Sequence, residues 1–283
     1  FDATEFEGIK NNYASQVGGL LKNPSYKFSD TLNAFKYNFS NRLPGFPSSA
    51  EVKALQMSDL KKVYQKITGN LQGAVFVFTG NIDEKTFPEL VSTYIASIPT
   101  SQQSRVLVKE NMLKPITGKN SFTFKAGKEK KSEINYGYYG KVEQTDHKEV
   151  QTFILLGEIL QMKANQKLRE EMGSTYAPSV SNSIIRQPVG EFNIGLTVSS
   201  LPENTEKIIL AFDELVQQMI RGEVNEEDLQ KAKAQRIKVV ENFFKNNNYW
   251  SSLLEQQFSY DFKALNWADY NKTVQDISKE DII

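Results

Sequence analysis

An arginine and a tyrosine seven residues apart in the sequence are the strongest candidates for chemistry. Arg169 falls in the last turn of a long predicted helix, Gly173 reverses the chain, and Tyr176 opens the next predicted strand. So short a turn can direct both side chains at one point, where a guanidinium and a phenol could donate hydrogen bonds to a developing oxyanion. The alternative is structural, because an arginine suits the negative end of a helix and a tyrosine anchors a sheet edge.

The other titratable residues favour solvated, structural roles. His147 lies in the polar first turn of a predicted helix, where a cation would oppose the helix dipole, so a neutral, solvated imidazole is expected. The basic run at 125–131 is expected to keep a hairpin turn soluble and to blunt a sheet edge. Adjacent carboxylates point about 100° apart on a helix and cannot share a proton; such pairs are Glu170–Glu171, Glu226–Glu227 and Glu280–Asp281.

Composition excludes several kinds of site. The 283 residues contain no cysteine and one histidine, which excludes disulfides, thiolate zinc sites and a two-histidine metal site within the chain. The 34 basic and 34 acidic residues balance, so no global field attracts nucleic acid. No apolar run approaches the roughly 18–20 residues that span a bilayer. We therefore expect no metal, no nucleic-acid partner and no transmembrane segment in this chain.

The first third of the sequence predicts helices followed by one strand. Helical spacing covers 6–21 and 29–39, a loop follows at 42–47, and Ser58–Asp59 is expected to cap the next helix. The continuously apolar block 73–80 predicts a strand buried on both faces, central in its sheet. Another helix is expected to open at Thr86–Glu89, with Thr86 as its N-cap.

The remainder predicts a second set of strands and helices. A polar stretch from 99 to 119 contains a possible edge strand at 105–108. Alternation predicts a hairpin of 122–124 with 134–138 and a second hairpin running from Tyr176 to Val198. Helical spacing predicts a long helix at 146–172 that ends at Gly173. Further helices are expected at 200–219, at 225–245 and in the rest of the chain, which together predict an α+β or α/β fold.

One internal similarity suggests a duplication. The stretch 52–60 matches 274–282 at four positions, which hold valine, an aliphatic residue, aspartate and another aliphatic residue. The first copy leads into the predicted strand at 73–80, and the second copy stands at the end of the sequence. The similarity predicts two related domains, each of them incomplete in this chain.

The arginine–tyrosine segment resembles a known family. Leu168–Arg169, Gly173 and Tyr176 are similar to the motif in the C-terminal half of the zinc metallopeptidases of the pitrilysin and insulin-degrading-enzyme type, the inverted zincins. The stretch 76–83 and the helix after it resemble the strand, turn and helix that close an odd-numbered domain there. The resemblance covers about residues 50–283. Within the family, the sequence most resembles the bacterial proteases of the periplasmic type.

The resemblance implies two homologous α/β domains of an α+β fold, with antiparallel or mixed sheets and helices packed on one face. The expected division is 1–104 for the C-terminal part of one domain, 105–118 for a linker, and 119–283 for a second domain that lacks its last strand. Because the sequence starts with Phe1 and not with Met, it is expected to be a piece of a longer protein. The resemblance further suggests the periplasm or cell envelope of a bacterium.

The resemblance also implies a role. In the family, zinc is held by an H-x-x-E-H helix and a distal glutamate in the N-terminal half, and this sequence has no counterpart of either. The chain would enclose a peptide substrate as the C-terminal half of a zinc metalloendopeptidase, with Arg169 and Tyr176 stabilising the oxyanion. Its partner would be the zinc-bearing N-terminal half, and alone it would be inactive. The alternative is a non-catalytic partner or scaffold subunit of the same fold.

Overall fold

A computed structural model describes residues 2–43, 45–98, 100, 113–143, 145–173, 175, 177–185, 190–260 and 262–282. Contacts divide the chain into two compact units. Unit 1 comprises Phe1–Ala74 and Asp83–Glu129, and unit 2 comprises Val75–Ile82 and Lys130–Ile283. The linker and boundaries predicted from sequence stay a prediction, and the possible edge strand at 105–108 lies outside the described residues.

Unit 2 combines an antiparallel sheet with a set of helices, which confirms the α+β class. Its strands are β1 (Ser132–Lys141), β2 (Ser179–Ile185) and β3 (Glu191–Ser200). Its helices are α6 (His147–Ala164), which continues as a π-helical segment (Asn165–Glu171), α7 (Thr205–Ile220), α8 (Glu226–Phe243), α9 (Asn247–Tyr260), α10 (Trp267–Gln275) and α11 (Lys279–Ile282). A short 3₁₀ turn, Pro202–Asn204, precedes α7.

The sheet has the strand order β1-β3-β2, so β3 is central. Ser132 pairs with Ser200 at one end of the β1–β3 ladder, and Ser179 pairs with Thr197 in the β2–β3 ladder. The predicted hairpin from Tyr176 to Val198 is thereby confirmed for β2 and β3. Residues of β2 alternate between exposed and half-buried positions, and β3 buries Ile194, Leu196 and Val198. This sheet places the start of β2 beside the end of the long helix.

The core of unit 2 lies between this sheet and the helices. Apolar side chains of β3 pack with those of α6 and α7 in one cluster of buried residues. The stripe predicted for α7 is confirmed, because its four members are almost fully buried: Ile208, Phe212, Leu215 and Met219. Burial of such side chains contributes about 1.5–3 kcal/mol each, so the cluster holds α6 firmly.

Unit 1 is helical among its described residues. It contains α1 (Ala3–Leu20), α2 (Pro24–Lys36), α3 (Ser49–Ala54), α4 (Met57–Thr68) and α5 (Phe87–Tyr94). The cap predicted at Ser58–Asp59 is wrong, because α4 begins before Ser58, with Gln56 at its N-cap. Thr86 stands at the N-cap of α5, as predicted, but its side chain makes no capping hydrogen bond. Local cap patterns recur by chance, and backbone geometry selects which residue stands at the helix start.

The strand predicted at 73–80 is wrong. Residues 74–79 have no regular secondary structure, and Val75, Phe76 and Phe78 are about half exposed. A continuous apolar run is typical of a strand covered on both faces, but a strand also needs backbone partners. No described strand of the chain pairs with this segment, so its apolar composition does not produce one.

The hairpin predicted for 122–124 with 134–138 is also wrong. Residues 122–124 are not a strand, and β1 pairs with β3. The ring of Phe122 lies 4.7 Å, between centroids, from the ring of Phe35 on α2, and Phe124 contacts Phe28 of the same helix. The alternation that predicted a strand therefore reflects aromatic packing on a helix.

Candidate functional site

Helix α6 is fixed at its start and changes its winding at its end. Asp146 accepts a hydrogen bond from the backbone N–H of Glu149 at 2.8 Å, and Glu149 accepts one from the backbone N–H of Asp146. This capping box sets the start of the predicted long helix, which is confirmed. After Ala164 the chain winds as the π-helical segment, a form that is rare and often occurs at functional sites.

Arg169 lies in the π-helical segment and is exposed. Leu168, immediately before it, is fully buried, so the backbone at this point is anchored to the core. Lys167 and Glu171 form an ion pair of 2.8 Å on the same segment. Among the described residues, no hydrogen bond or ion pair occupies the Arg169 guanidinium. Its N–H donors are thus available to a ligand on an anchored backbone.

Gly173 reverses the chain after the π-helical segment. Its φ is +58°, a left-handed conformation that favours glycine, and this confirms the predicted helix end. Thr175 then pairs with Ser200 in an antiparallel bridge, and its Oγ1 donates to the backbone carbonyl of Ser199 at 2.8 Å. The chain is therefore attached to β3 directly before Tyr176. Tyr176 itself lies outside the described residues, so its pairing with Arg169 stays a prediction.

An open cavity of about 480 Å³ borders this reversal. Gly173, Thr175 and Ser200 line it together with Lys130 and Lys131. Both lysines are in ion pairs: Lys130 with Glu203 at 2.9 Å and Lys131 with Glu133 at 3.2 Å. The hydrogen bond from Lys130 also lowers the pKa of Glu203. Two lysines of the basic run at 125–131 thus line this cavity. Their positive charges are largely compensated by Glu203 and Glu133.

Helix α6 and strand β2 approach closely beside the site. Asn182 of β2 donates a side-chain hydrogen bond to the backbone carbonyl of Phe153 on α6. Gly157 lies opposite, and a Cβ there would overlap the Asn182 side chain. Gln161, one turn further along α6, bonds to the backbone at the start of β2. We call these three residues, Gly157, Gln161 and Asn182, the amide seam. Sequence reasoning missed this seam, although a glycine within a helix was a usable signal.

The remaining candidates take structural roles. The histidine is partly covered, because its ring lies 3.8 Å from that of Phe262 between centroids, and Nε2 lies 2.7 Å from the carbonyl oxygen of Lys263. The imidazole that was expected to be solvated is thus half-buried, because residues 262–263 cover one side of it. The three carboxylate pairs are exposed, as predicted.

The residues present do not fit the zinc site of the inverted zincins. That site needs two histidines, and the sequence has one. Within the ranges that the structure describes, no group of three or more His, Cys, Asp or Glu side chains could hold a metal ion. None of the described helices is long and apolar enough to cross a bilayer.

A family model described as the peptidase M16 inactive domain matches residues 54–236. The chain belongs to the peptidase M16 family. This match confirms the resemblance to the C-terminal, non-metal half of pitrilysin-type peptidases. The match runs from the last residue of α3 into α8 and includes the amide seam, Arg169 and Gly173. No curated protein matches the chain.

Solved structures share the fold of this M16 chain. The periplasmic protease PqqL from Escherichia coli aligns over 100% of the chain and 31% of PqqL, with a TM-score of 0.78 and 15% identity. A conserved protein from Enterococcus faecalis aligns over 100% of the chain and 65% of its own, with a TM-score of 0.77 and 15% identity. A peptidase M16 inactive domain from Pseudomonas fluorescens aligns over 100% of the chain and 66% of its own, with a TM-score of 0.68 and 16% identity. The chain thus spans 31% to 66% of these proteins.

Proposed function

We propose that this M16 chain is the substrate-enclosing, non-metal half of a zinc metalloendopeptidase. In this proposal Arg169 and Tyr176 donate hydrogen bonds to the carbonyl oxygen of the scissile peptide as negative charge develops on it. The observation that carries the proposal is the exposed Arg169 guanidinium, held on an anchored π-helical segment directly before the Gly173 reversal, in a chain of this family.

The chemistry of the two groups suits this task. A guanidinium is always charged, and its hydrogen bonds to an oxyanion are stronger than those between neutral groups. A donor contributes to rate only if its position is fixed before the reaction. Leu168 supplies such fixation on the helix side, and the Thr175–Ser200 bridge supplies it on the strand side. Both attachments support a preorganised pair.

The sheet supports the enclosure of an extended peptide. Strand β1 is ten residues long and lies at one edge of the described sheet, with β3 on its other side. An extended peptide can add to such an edge through main-chain hydrogen bonds. Pairing there would bind a substrate through its backbone, and contacts with the surrounding surface would determine which substrate side chains are accepted.

The zinc and its ligands would belong to another polypeptide, because this chain lacks the residues for them. Its partner would therefore be the N-terminal, zinc-bearing half, and the chain by itself would not hydrolyse peptides. We expect this pair to work in the periplasm or cell envelope of a bacterium.

Kinetics of the assembled enzyme test the proposal. Arg169→Ala, in this chain combined with its zinc-bearing half, should lower kcat by about 10²-fold or more, because an oxyanion donor is lost. Tyr176→Phe should lower kcat in the same direction. The matched control is Arg221→Ala, which removes an exposed arginine that follows α7 and pairs with Glu214 and Glu223. Unchanged kcat in both site variants would reject the role of the pair.

A scaffold role is the second candidate. It is favoured by the description of the matching family model, which names an inactive domain. In that case the chain would bind its partner half, and Arg169→Ala would leave peptide hydrolysis unchanged while the assembly stayed intact. Size-exclusion chromatography of the variant assembly, run beside the kinetic assay, separates this outcome from simple dissociation.

A further inference from the structure

We infer that Gln161 is the positioning residue of the candidate site: its side chain joins the helical and the strand halves of the reversal. Its effect on hydrolysis rests on the proposed function, whereas its effect on the backbone does not.

One carboxamide makes three hydrogen bonds here. Nε2 of Gln161 donates to the backbone carbonyl of Pro178 at 3.0 Å and to Oδ1 of Asn165 at 3.2 Å. Its Oε1 accepts from the backbone N–H of Val180 at 2.7 Å. All three distances are within the normal range for N–H···O bonds. The amide is therefore used on both its donor and its acceptor side.

The partners fix which way the amide points. A backbone N–H can only donate and a backbone carbonyl can only accept. The Val180 N–H must therefore face Oε1, and the Pro178 carbonyl must face Nε2. Together the two bonds imitate the pairing that a neighbouring strand would make, at the start of a strand that lies on the sheet edge.

These bonds flank the candidate pair. Asn165 is the first residue of the π-helical segment that carries Arg169. Pro178 follows Tyr176 by two positions, and on the other side of Tyr176 the Thr175–Ser200 bridge attaches the chain to β3. One side chain thus links the segment that carries the guanidinium to the strand start that follows the phenol. Loss of these bonds would free the start of β2 to shift relative to the segment that carries Arg169.

Gly157 and Asn182, the other two residues of the amide seam, keep β2 close enough to α6 for the Gln161 side chain to bond to it. Because Gly157 has no side chain, Asn182 can lie against α6 and donate to the Phe153 carbonyl. This contact, one turn before Gln161, holds β2 close to the helix. Asparagine at 161 would be shorter by one methylene and would not reach both backbone groups, and methionine would reach them without any donor or acceptor of comparable strength.

Amide hydrogen exchange of the whole chain tests the positioning role without any activity. Gln161→Met should raise the exchange rate of the Val180 amide by about fivefold or more, because a net hydrogen bond of ordinary strength is lost. Gln161→Glu keeps the acceptor, so Val180 should stay within about twofold of the unmodified chain. The matched control is Gln166→Met, at an exposed position on the π-helical segment.

Unchanged Val180 exchange in Gln161→Met would overturn the inference. Should that variant not fold, Gln161→Glu decides: a Val180 amide as fast as its solvent-exposed neighbours would overturn it.

Kinetics of the assembly then test the consequence. Gln161→Met and Gln161→Glu should both lower kcat by about tenfold with little change in KM, because both lose the donor to Pro178 and Asn165. If Arg169→Ala lowers kcat and neither Gln161 variant does, the positioning role is wrong while the proposed function stands. If Arg169→Ala leaves kcat unchanged, the proposed function is wrong, and Val180 exchange alone then judges Gln161.

Discussion

The two copies of the internal similarity fold alike and pack differently. In unit 1 the stretch 52–60 forms the end of α3, a turn and the start of α4; in unit 2 the stretch 274–282 forms the end of α10, a turn and α11. Val52 and its counterpart Val274 are both buried. Leu55, however, is 51% exposed where Ile277 is 1% exposed, and Leu60 is 46% exposed where Ile282 is 7% exposed.

This difference separates what a local pattern specifies from what it does not. Both copies produce a helix, a turn and a helix, because helix formation depends on neighbouring residues along the chain. In unit 2 the helices α10 and α11 pack on α6, and their aliphatic side chains join the core. In unit 1 the described residues supply no comparable layer, and its buried apolar residues are Ala14, Val17 and Val52. Burial is thus decided by what lies opposite.

The largest expected effect comes from the equivalent aliphatic residues. Ile277→Ala should destabilise unit 2 by about 2–5 kcal/mol, because it leaves a cavity in the core. Leu55→Ala should change stability by no more than about 0.5 kcal/mol, because its side chain is already exposed. Denaturation followed by far-ultraviolet circular dichroism measures both losses, because both units contain helices, and the fluorescence of Trp250 and Trp267 reports separately on unit 2. Equal losses from the two substitutions would contradict the comparison.

A second pair of substitutions should have opposite signs. Gly157→Ala in α6 should cost about 1–3 kcal/mol, because the new Cβ overlaps Asn182 in the amide seam. Gly8→Ala in α1 meets nothing within 4 Å and should stabilise its helix by up to about 1 kcal/mol through helix propensity. Thermal unfolding followed by circular dichroism measures both. Stabilisation by Gly157→Ala would show that α6 and β2 are not in close contact.

The smallest effect is a pH dependence that differs between the units. In unit 2, burial raises the pKa of Glu158, although Arg236 partly opposes this, and Oε2 of Glu158 has no hydrogen-bond partner among the described residues. Above its raised pKa the folded state holds the ionised carboxylate at a cost, and below about pH 4.5 the acid is neutral in both states. The stability contribution of Glu158 should therefore rise as the pH falls from 7 toward 4.5. The difference should be about 1 kcal/mol or less, because the side chain is partly solvated.

The matched carboxylate in unit 1 should behave in the opposite way. Hydrogen bonds from Ser48 lower the pKa of Glu51 in the capping box of α3. Its contribution is present above about pH 4.5 and is lost as the pH falls through the lowered value. Stability curves of Glu158→Gln and Glu51→Gln between pH 3 and 7 should therefore diverge from that of the unmodified chain in opposite directions. Parallel curves would mean that the two carboxylates have similar surroundings.

Part of the site could be predicted because it is local. The start of the long helix at Asp146, its length and the reversal at Gly173 follow from residues close in sequence, and each was predicted. Gln161 could not be predicted, because its partners lie 17 and 19 positions further along and are backbone groups that any residue type supplies. The amide seam forms only when folding brings α6 and β2 into contact.

The apolar block at 73–80 marks the limit of composition as a guide. Its residues favour a strand, but strand formation requires hydrogen-bonding partners that sequence composition does not specify, and no described strand pairs with it.

By itself, the sequence determined most helices of both units, the β2–β3 hairpin, the family and the absence of a two-histidine metal site, because residue types, capping, periodicity and turn residues are properties of short stretches of the chain. Only the tertiary structure decided which of two similar helix pairs is buried, which strand pairs with β1, and which side chain joins the two halves of the candidate site. Those outcomes depend on groups far apart in the chain, whose free energy of interaction arises only when folding brings them into contact.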